Sequence, residues 1–178
     1  MVNYRHIKFE ELNSDLFSSF IRHQEVNLCY RQVNQQWVIQ EDPFIDDWSS
    51  QDLKQLLEEI KEIHRQGGLV EGAFIDGKLK GFVVVSSQLL NEHLDYADLV
   101  HLYVSKDYRG QKIGTQLFLI AQNYALTLGA KKLYISSHSA LETQLFYRCL
   151  GCVEATFLSR FHIEKEPYDC QLEYTLKI

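Results

Sequence analysis

Residues 97–137 read as strand, loop, helix, strand, and few folds accept that order. Residues 97–104 form the first strand. Ile113, Leu117, Ile120, Ala121, Tyr124 and Leu128 then recur at helical spacing, and Gly129 closes that helix. Lys132 to Ser137 is the second strand. Two strands joined by a helix within about forty residues must pair in parallel. The loop SKDYRGQKIGT places Arg109, Gly110, Lys112 and Gly114 where the helix begins. A helix N-terminus with unpaired N–H groups and cations beside it is an anion site, and a phosphorylated ligand suits it.

The remaining chain fits around this unit. With 178 residues, 46% of them hydrophobic, residues 1–178 suffice for a single domain and not for a second independent core. A first strand is expected over residues 2–9. Residues 14–38 are expected to be helical, burying Phe17, Phe20, Ile21, Leu28 and Val33, and the acidic segment 41–50 to be a loop. Ser49 and Asp52 form a capping box before a helix whose Leu53, Leu56, Leu57, Ile60 and Ile63 share one face. Asp76-Gly77 between two apolar runs marks a hairpin with strands near 69–76 and 79–88. Residues 141–150 suggest a short helix and 152–158 a strand. Cys170, Leu172, Tyr174, Leu176 and Ile178 alternate with polar residues as a half-buried strand. The fold class is α/β, a mixed sheet of about seven strands with four helices.

Several functions are disfavoured. A net charge of −6 makes nucleic acid a poor partner. No apolar run is long enough to span a membrane, so no membrane partner is expected. No signal core precedes Glu10, and the four cysteines read as free thiols, which together point to a cytoplasmic protein. The phosphate motifs GxGxxG and GxxxxGK[ST] are absent, as are GxSxG and HExxH. Cys149 and Cys152 form a CxxC that Cys170 and His162 complete only on paper, so no metal is expected.

RGQKIGT following LYVSKDY resembles motif A of the GNAT superfamily of N-acetyltransferases, Q/R-x-x-G-x-G/A. Arg109 stands at the Q/R position and Gly114 at the last one. Lys112 occupies the place of the first glycine of the pattern. LFYRCLGC, residues 145–152, resembles the family's motif B. The likeness runs from about residue 69 to 178 in element order and is weakest before it. The tail EPYDCQLEY is similar to that of some bacterial members, with no chemistry attached to it.

The resemblance implies a GNAT fold with a splayed central parallel pair and direct transfer of an acetyl group from acetyl-CoA to a primary amine. The acceptor would be a small molecule or a peptide, and a homodimer is left open. It implies that the backbone of Leu102, Tyr103 and Val104 holds the pantetheine arm. Arg109 and the N–H groups of Gly110, Gln111, Lys112, Ile113, Gly114 and Thr115 would hold the pyrophosphate, with Ser139 as a further contact. Tyr147, at the motif B tyrosine, would give a proton to the CoA thiolate. Candidates for the base are His101 and Asp98, which lie three apart on one strand and so are expected on opposite sheet faces. Deprotonation through water, without a dedicated base, is the other option. The alternative function is a non-catalytic acyl-CoA-binding sensor or interaction module on the same fold.

Overall fold

The computed structural model describes residues 1–34, 36–91 and 93–177. Its core is a seven-stranded sheet, built from β1 (Asn3–His6), β4 (Leu69–Ile75), β5 (Lys78–Leu89), β6 (Tyr96–Val104), β7 (Lys132–Ser137), β8 (Val153–Glu154) and β9 (Cys170–Thr175). The strand order is β1-β4-β5-β6-β7-β9-β8. All neighbours are antiparallel except β6 and β7, the two strands of the βαβ unit. The sequence placed these strands well, with one exception: residues 152–158 contribute only the two-residue β8. Leu176 is buried beyond the end of β9, and Ile178 lies outside the described residues.

The alternation of β5 divides the core into two layers. Val83 and Val85 face α2 (Ile113–Thr127), against Ile113, Leu117, Phe118 and Ala121. Phe82 and Val84 face α1 (Ser50–Arg65), against Leu56, Leu57 and Ile60. Ser49 caps α1 and Asp52 closes the capping box, as the sequence predicts. Two shorter helices, α3 (Leu141–Cys149) and α4 (Arg160–Lys165), complete the set.

The segment expected to be helical is instead a long β-hairpin of β2 (His23–Val33) and β3 (Gln36–Asp47), preceded by 3-10 turns at Phe9–Glu11 and Ser14–Phe17. The expected acidic loop is therefore mostly the second half of β3. This two-stranded sheet is separate from the main one. A single bridge between Cys29 and Ala140, and the Tyr30 N–H donating to the Ser139 carbonyl at 2.8 Å, tie it to the turn after β7. At its root, Trp48 packs against Phe17, Phe20 and Tyr103.

Candidate active site

The parallel ladder between β6 and β7 is short. It pairs Tyr96 with Lys132, Ala97 with Leu133 and Asp98 with Tyr134, and then ends. Beyond it, β7 continues along β9, pairing Ile135, Ser136 and Ser137 with Leu172, Gln171 and Cys170. β6 continues along β5, pairing His101 through Val104 with Val84 through Gly81. The two strands diverge and leave a V-shaped gap in the sheet. A cleft of about 650 Å³ runs through it. One side is walled by Ile113, Gly114, Phe146 and Tyr147 of α2 and α3, the other by Arg22, Asp46, Trp48 and His162 from the hairpin region and α4. Leu102, Tyr103 and Val104 line the gap itself. Their backbone edge toward β7 has no strand partner, which is the geometry an extended ligand arm needs.

The N-terminus of α2 opens onto the first side. The amides of Gly110 through Thr115 donate to no backbone carbonyl among the described residues; the first to do so is Gln116, bonded to Lys112. Two residues shape this cradle. Gly110 has φ +76° and Lys112, at the helix N-cap, φ +62°. The left-handed conformation at 112 is where a glycine is least strained, which explains the pattern that Lys112 departs from. Gly114 is small for another reason, since a Cβ there would meet the Phe146 ring at 3.1 Å. The α2 and α3 helices thus touch at the cradle. Arg109 reaches back to the Val104 carbonyl through Nε at 3.2 Å and lines the cleft with Lys112. Lys106 turns away to Glu25 of β2 at 3.8 Å.

The loop is anchored from beneath. Lys80 is 6% exposed; its ammonium donates to the Ser19 carbonyl at 2.7 Å and to Asp107 at 2.8 Å. Ser105, fully buried, accepts from the Ile21 N–H and donates to Asp107. The sequence carried no signal for Lys80, because a lysine within a strand usually faces solvent.

Replacing Lys112 by glycine separates charge from conformation at the cradle. The variant is expected to be about 1 kcal/mol more stable, since the left-handed strain is relieved. Its affinity for acetyl-CoA should fall roughly threefold and become less salt-dependent, since one ammonium is lost. Denaturant unfolding and calorimetry at two salt concentrations measure both effects.

The acid–base candidates fall as follows. Tyr147 is 6% exposed, with its ring edge toward Phe118. Burial pushes its phenol well above the ordinary tyrosine range, so it keeps its proton. Its hydroxyl makes no hydrogen bond among the described residues, while the ring lines the cleft. Asp98 and His101 lie on the same face of the sheet, not on opposite ones. The ladder pairs Val84 with His101 but Val85 with Leu99, so Val100 is a bulge that reverses the alternation. Asp98 sits behind the cleft wall, 9% exposed, holding Nε2 of His162 at 3.0 Å. His101 lines the cleft, but its Nε2 is held by Glu59 of α1 at 2.8 Å. That pairing and Lys165 keep Glu59 down to about 2 despite its burial.

Ser139 is buried outside the cleft, its hydroxyl accepting from Arg31 of the hairpin, and Gln111 is exposed beside the cradle without lining it. His138 is in the wall; its Nδ1 accepts from the Ala140 N–H at 3.1 Å, and burial lowers its pKa. Cys149 is exposed while Cys152 and Cys170 are buried, and burial pushes both of those thiols up to about 12. They are therefore poor thiolate ligands or nucleophiles. Sequence reasoning missed two wall residues, His162 as part of the cleft and Asp169; Trp48 and Asp46, which the sequence offers as an acceptor lining but more readily as a solvated loop, are in the wall.

Comparison with known proteins agrees with this geometry. Residues 33–152, about two-thirds of the chain, match the model of the acetyltransferase (GNAT) family. No curated protein matches the sequence. Among solved structures, nourseothricin acetyltransferase superposes with a TM-score of 0.72 at 15% identity, covering 99% of each chain. A Bacillus anthracis protein described as a streptothricin acetyltransferase, solved with acetyl coenzyme A, gives 0.70 at 16%, covering 100% of this chain and 99% of its own. The ribosomal-protein-S18-alanine N-acetyltransferase of Escherichia coli gives 0.58 at 16%, covering 100% and 96%. At these identities the likeness is one of fold. With the family model spanning the cradle, the gap and α3, the chain belongs to the GNAT family of acetyltransferases.

Proposed function

We propose that this enzyme moves the acetyl group of acetyl-CoA directly onto a primary amine that enters from the hairpin side of the sheet. The observation that carries this reading is the cleft through the gap, which joins the anion cradle of α2 on one face to the wall of Trp48, Asp46 and His162 on the other. Two substrates approaching from opposite faces can meet at the point where β6 and β7 part, so no covalent relay on the protein is needed.

On the cofactor side, Arg109, Lys112 and the free amides of residues 110–115 hold the pyrophosphate. The open edge of Leu102 to Val104 takes the pantetheine arm as a substitute strand. Tyr147 donates a hydrogen bond to the departing sulfur. Its raised pKa favours such a bond over full proton transfer, which refines the role expected for it. On the acceptor side the wall holds Asp46, Glu166 and Asp169, and its cations Arg22 and Lys165 are already paired with Asp46 and Glu59. That balance suits a cationic amine of a small molecule or peptide, and the structural neighbours named for streptothricin and for an alanine of ribosomal protein S18 span both kinds.

A panel of amines scored by CoA thiol release tests this. It should contain 1,4-diaminobutane, lysine, an aminoglycoside and a peptide with a free N-terminus. At least one primary amine should drive thiol release above background hydrolysis, while its N,N-dimethylated analogue stays inert. Tight acetyl-CoA binding with no release for any amine would favour the binding-module alternative.

A further inference from the structure

Asp169 has so far entered only as one of the acids of the acceptor wall. It stands just before β9, within the EPYDCQLEY tail to which the sequence attached no chemistry. It lines the cleft, and Ser136 of β7 donates to its Oδ2 at 3.1 Å. Its Oδ1 accepts no hydrogen bond among the described residues. The side chain is also central. Its charge helps raise the pKa of Tyr147 on the cofactor side and of Tyr103 of β6, while His162 on the acceptor side acts on Asp169 in the opposite sense.

We propose that Asp169 is the general base that takes a proton from the acceptor ammonium in the throat of the cleft. This rests on the acetyltransferase reading above. The bound ammonium gives one proton to Oδ1, which leaves a lone pair on nitrogen. That pair forms the bond to the thioester carbonyl carbon, and the C–S bond breaks with its electrons going to sulfur beside Tyr147. The new N–C centre then sheds its second proton, the sulfur gains one, and Asp169 returns its own to solvent. One proton is released per turnover. Asp98 and His101 are less apt, because Asp98 lies behind His162 and the Nε2 of His101 is committed to Glu59.

The surroundings suit a base working near neutrality. Burial pushes the carboxyl up to about 6, and the Glu166 charge adds to the rise; the Ser136 hydroxyl, His162 and Lys165 oppose it. Tyr103 and Tyr147 face it from β6 and α3, and the buried Cys170 thiol is its chain neighbour.

The test is the pH profile of kcat/KM at saturating acetyl-CoA, with 1,4-diaminobutane or the best amine of the panel as probe. Wild type should show an acid limb with its midpoint near 6. Asp169→Asn should abolish that limb and lower the rate at pH 7 by about 10²-fold, with acetyl-CoA affinity within about twofold of wild type. Asp169→Glu should recover part of the rate and the limb. A limb that persists in Asp169→Asn, or that vanishes in His162→Gln instead, overturns the proposal. If wild type binds acetyl-CoA but turns over no amine, the acetyltransferase reading itself fails. A 13C titration of the Asp169 carboxyl then still decides the matter, since a midpoint in the ordinary aspartate range, unmoved by acetyl-CoA, also overturns it.

Discussion

Tyr147→Phe should lower kcat about 10²-fold while leaving acetyl-CoA affinity nearly unchanged. The phenol is buried against Phe118 and Phe146, so the ring contributes packing that phenylalanine preserves. The hydroxyl makes no hydrogen bond among the described residues, so its removal strands no buried partner there and costs little stability. What disappears is a donor on the cleft wall, and such a donor counts most where charge develops, on the leaving sulfur. Steady-state rates and calorimetry separate the two effects. Turnover equal to wild type would remove Tyr147 from the chemistry, and a large loss of affinity would make it a binding residue.

The second large effect is structural. Glu173→Gln should destabilise the fold by about 3 kcal/mol at neutral pH. The carboxylate is 4% exposed and accepts from Tyr96 Oη at 2.6 Å, Lys132 Nζ at 2.7 Å, and the Thr156 N–H and hydroxyl at 2.9 and 3.0 Å. It therefore links β9 to the ends of β6 and β7, where the parallel ladder begins. Burial alone would raise its pKa, but these hydrogen bonds outweigh burial and hold it at about 2. A folded-state pKa below the unfolded one means that the unfolded chain binds the proton more tightly. The stabilisation is therefore complete above the ordinary glutamate range and is lost as pH falls toward 2. The shift corresponds to about 3 kcal/mol at 1.36 kcal/mol per unit. Urea unfolding should show wild type and variant far apart at pH 7 and converging only as the pH approaches 2. A constant difference across that range would mean that the variant acts through shape and not charge.

The legible parts of the fold carried local chemical punctuation. The Ser49–Asp52 box, the Asp76-Gly77 turn and the clean strand Lys132–Ser137 all depend on neighbours in the chain, and the structure has them where the sequence placed them. The β2–β3 hairpin was hidden for a physical reason. A two-stranded sheet lying mostly in solvent buries little, so it shows no period-two hydrophobic pattern; along β2 only Val26 and Cys29 are buried. Its turn at Asn34 has a positive φ without a glycine to announce it, and its register shifts between Val26 and Leu28. Pro43 sits within β3, which a strand of an isolated pair tolerates.

The site divides in the same way. The anion cradle is a contiguous stretch, so its residues could be read in order. The acceptor side is assembled from segments far apart in the chain, and its logic depends on long-range geometry. The Val100 bulge reverses which face Asp98 and His101 occupy, and no residue type near it signals the change. Asp169 gains its place from Ser136, thirty-three residues earlier, and from a gap that exists only because β6 and β7 stop pairing.

The hairpin has a consequence for how acceptor choice can change. Its strands satisfy each other's hydrogen bonds and contribute no strand to the main sheet. Yet its base supplies Arg22, Gln24 and Asp46 to the acceptor wall. It is an arm whose own hydrogen bonding is independent of the main sheet. Substitutions, insertions or whole-arm grafts between residues 22 and 47 can redraw the shape offered to an incoming amine, while the cradle and the gap keep their geometry. Selection for a new acceptor can therefore act on this arm with little penalty to the half of the enzyme that handles the acetyl donor.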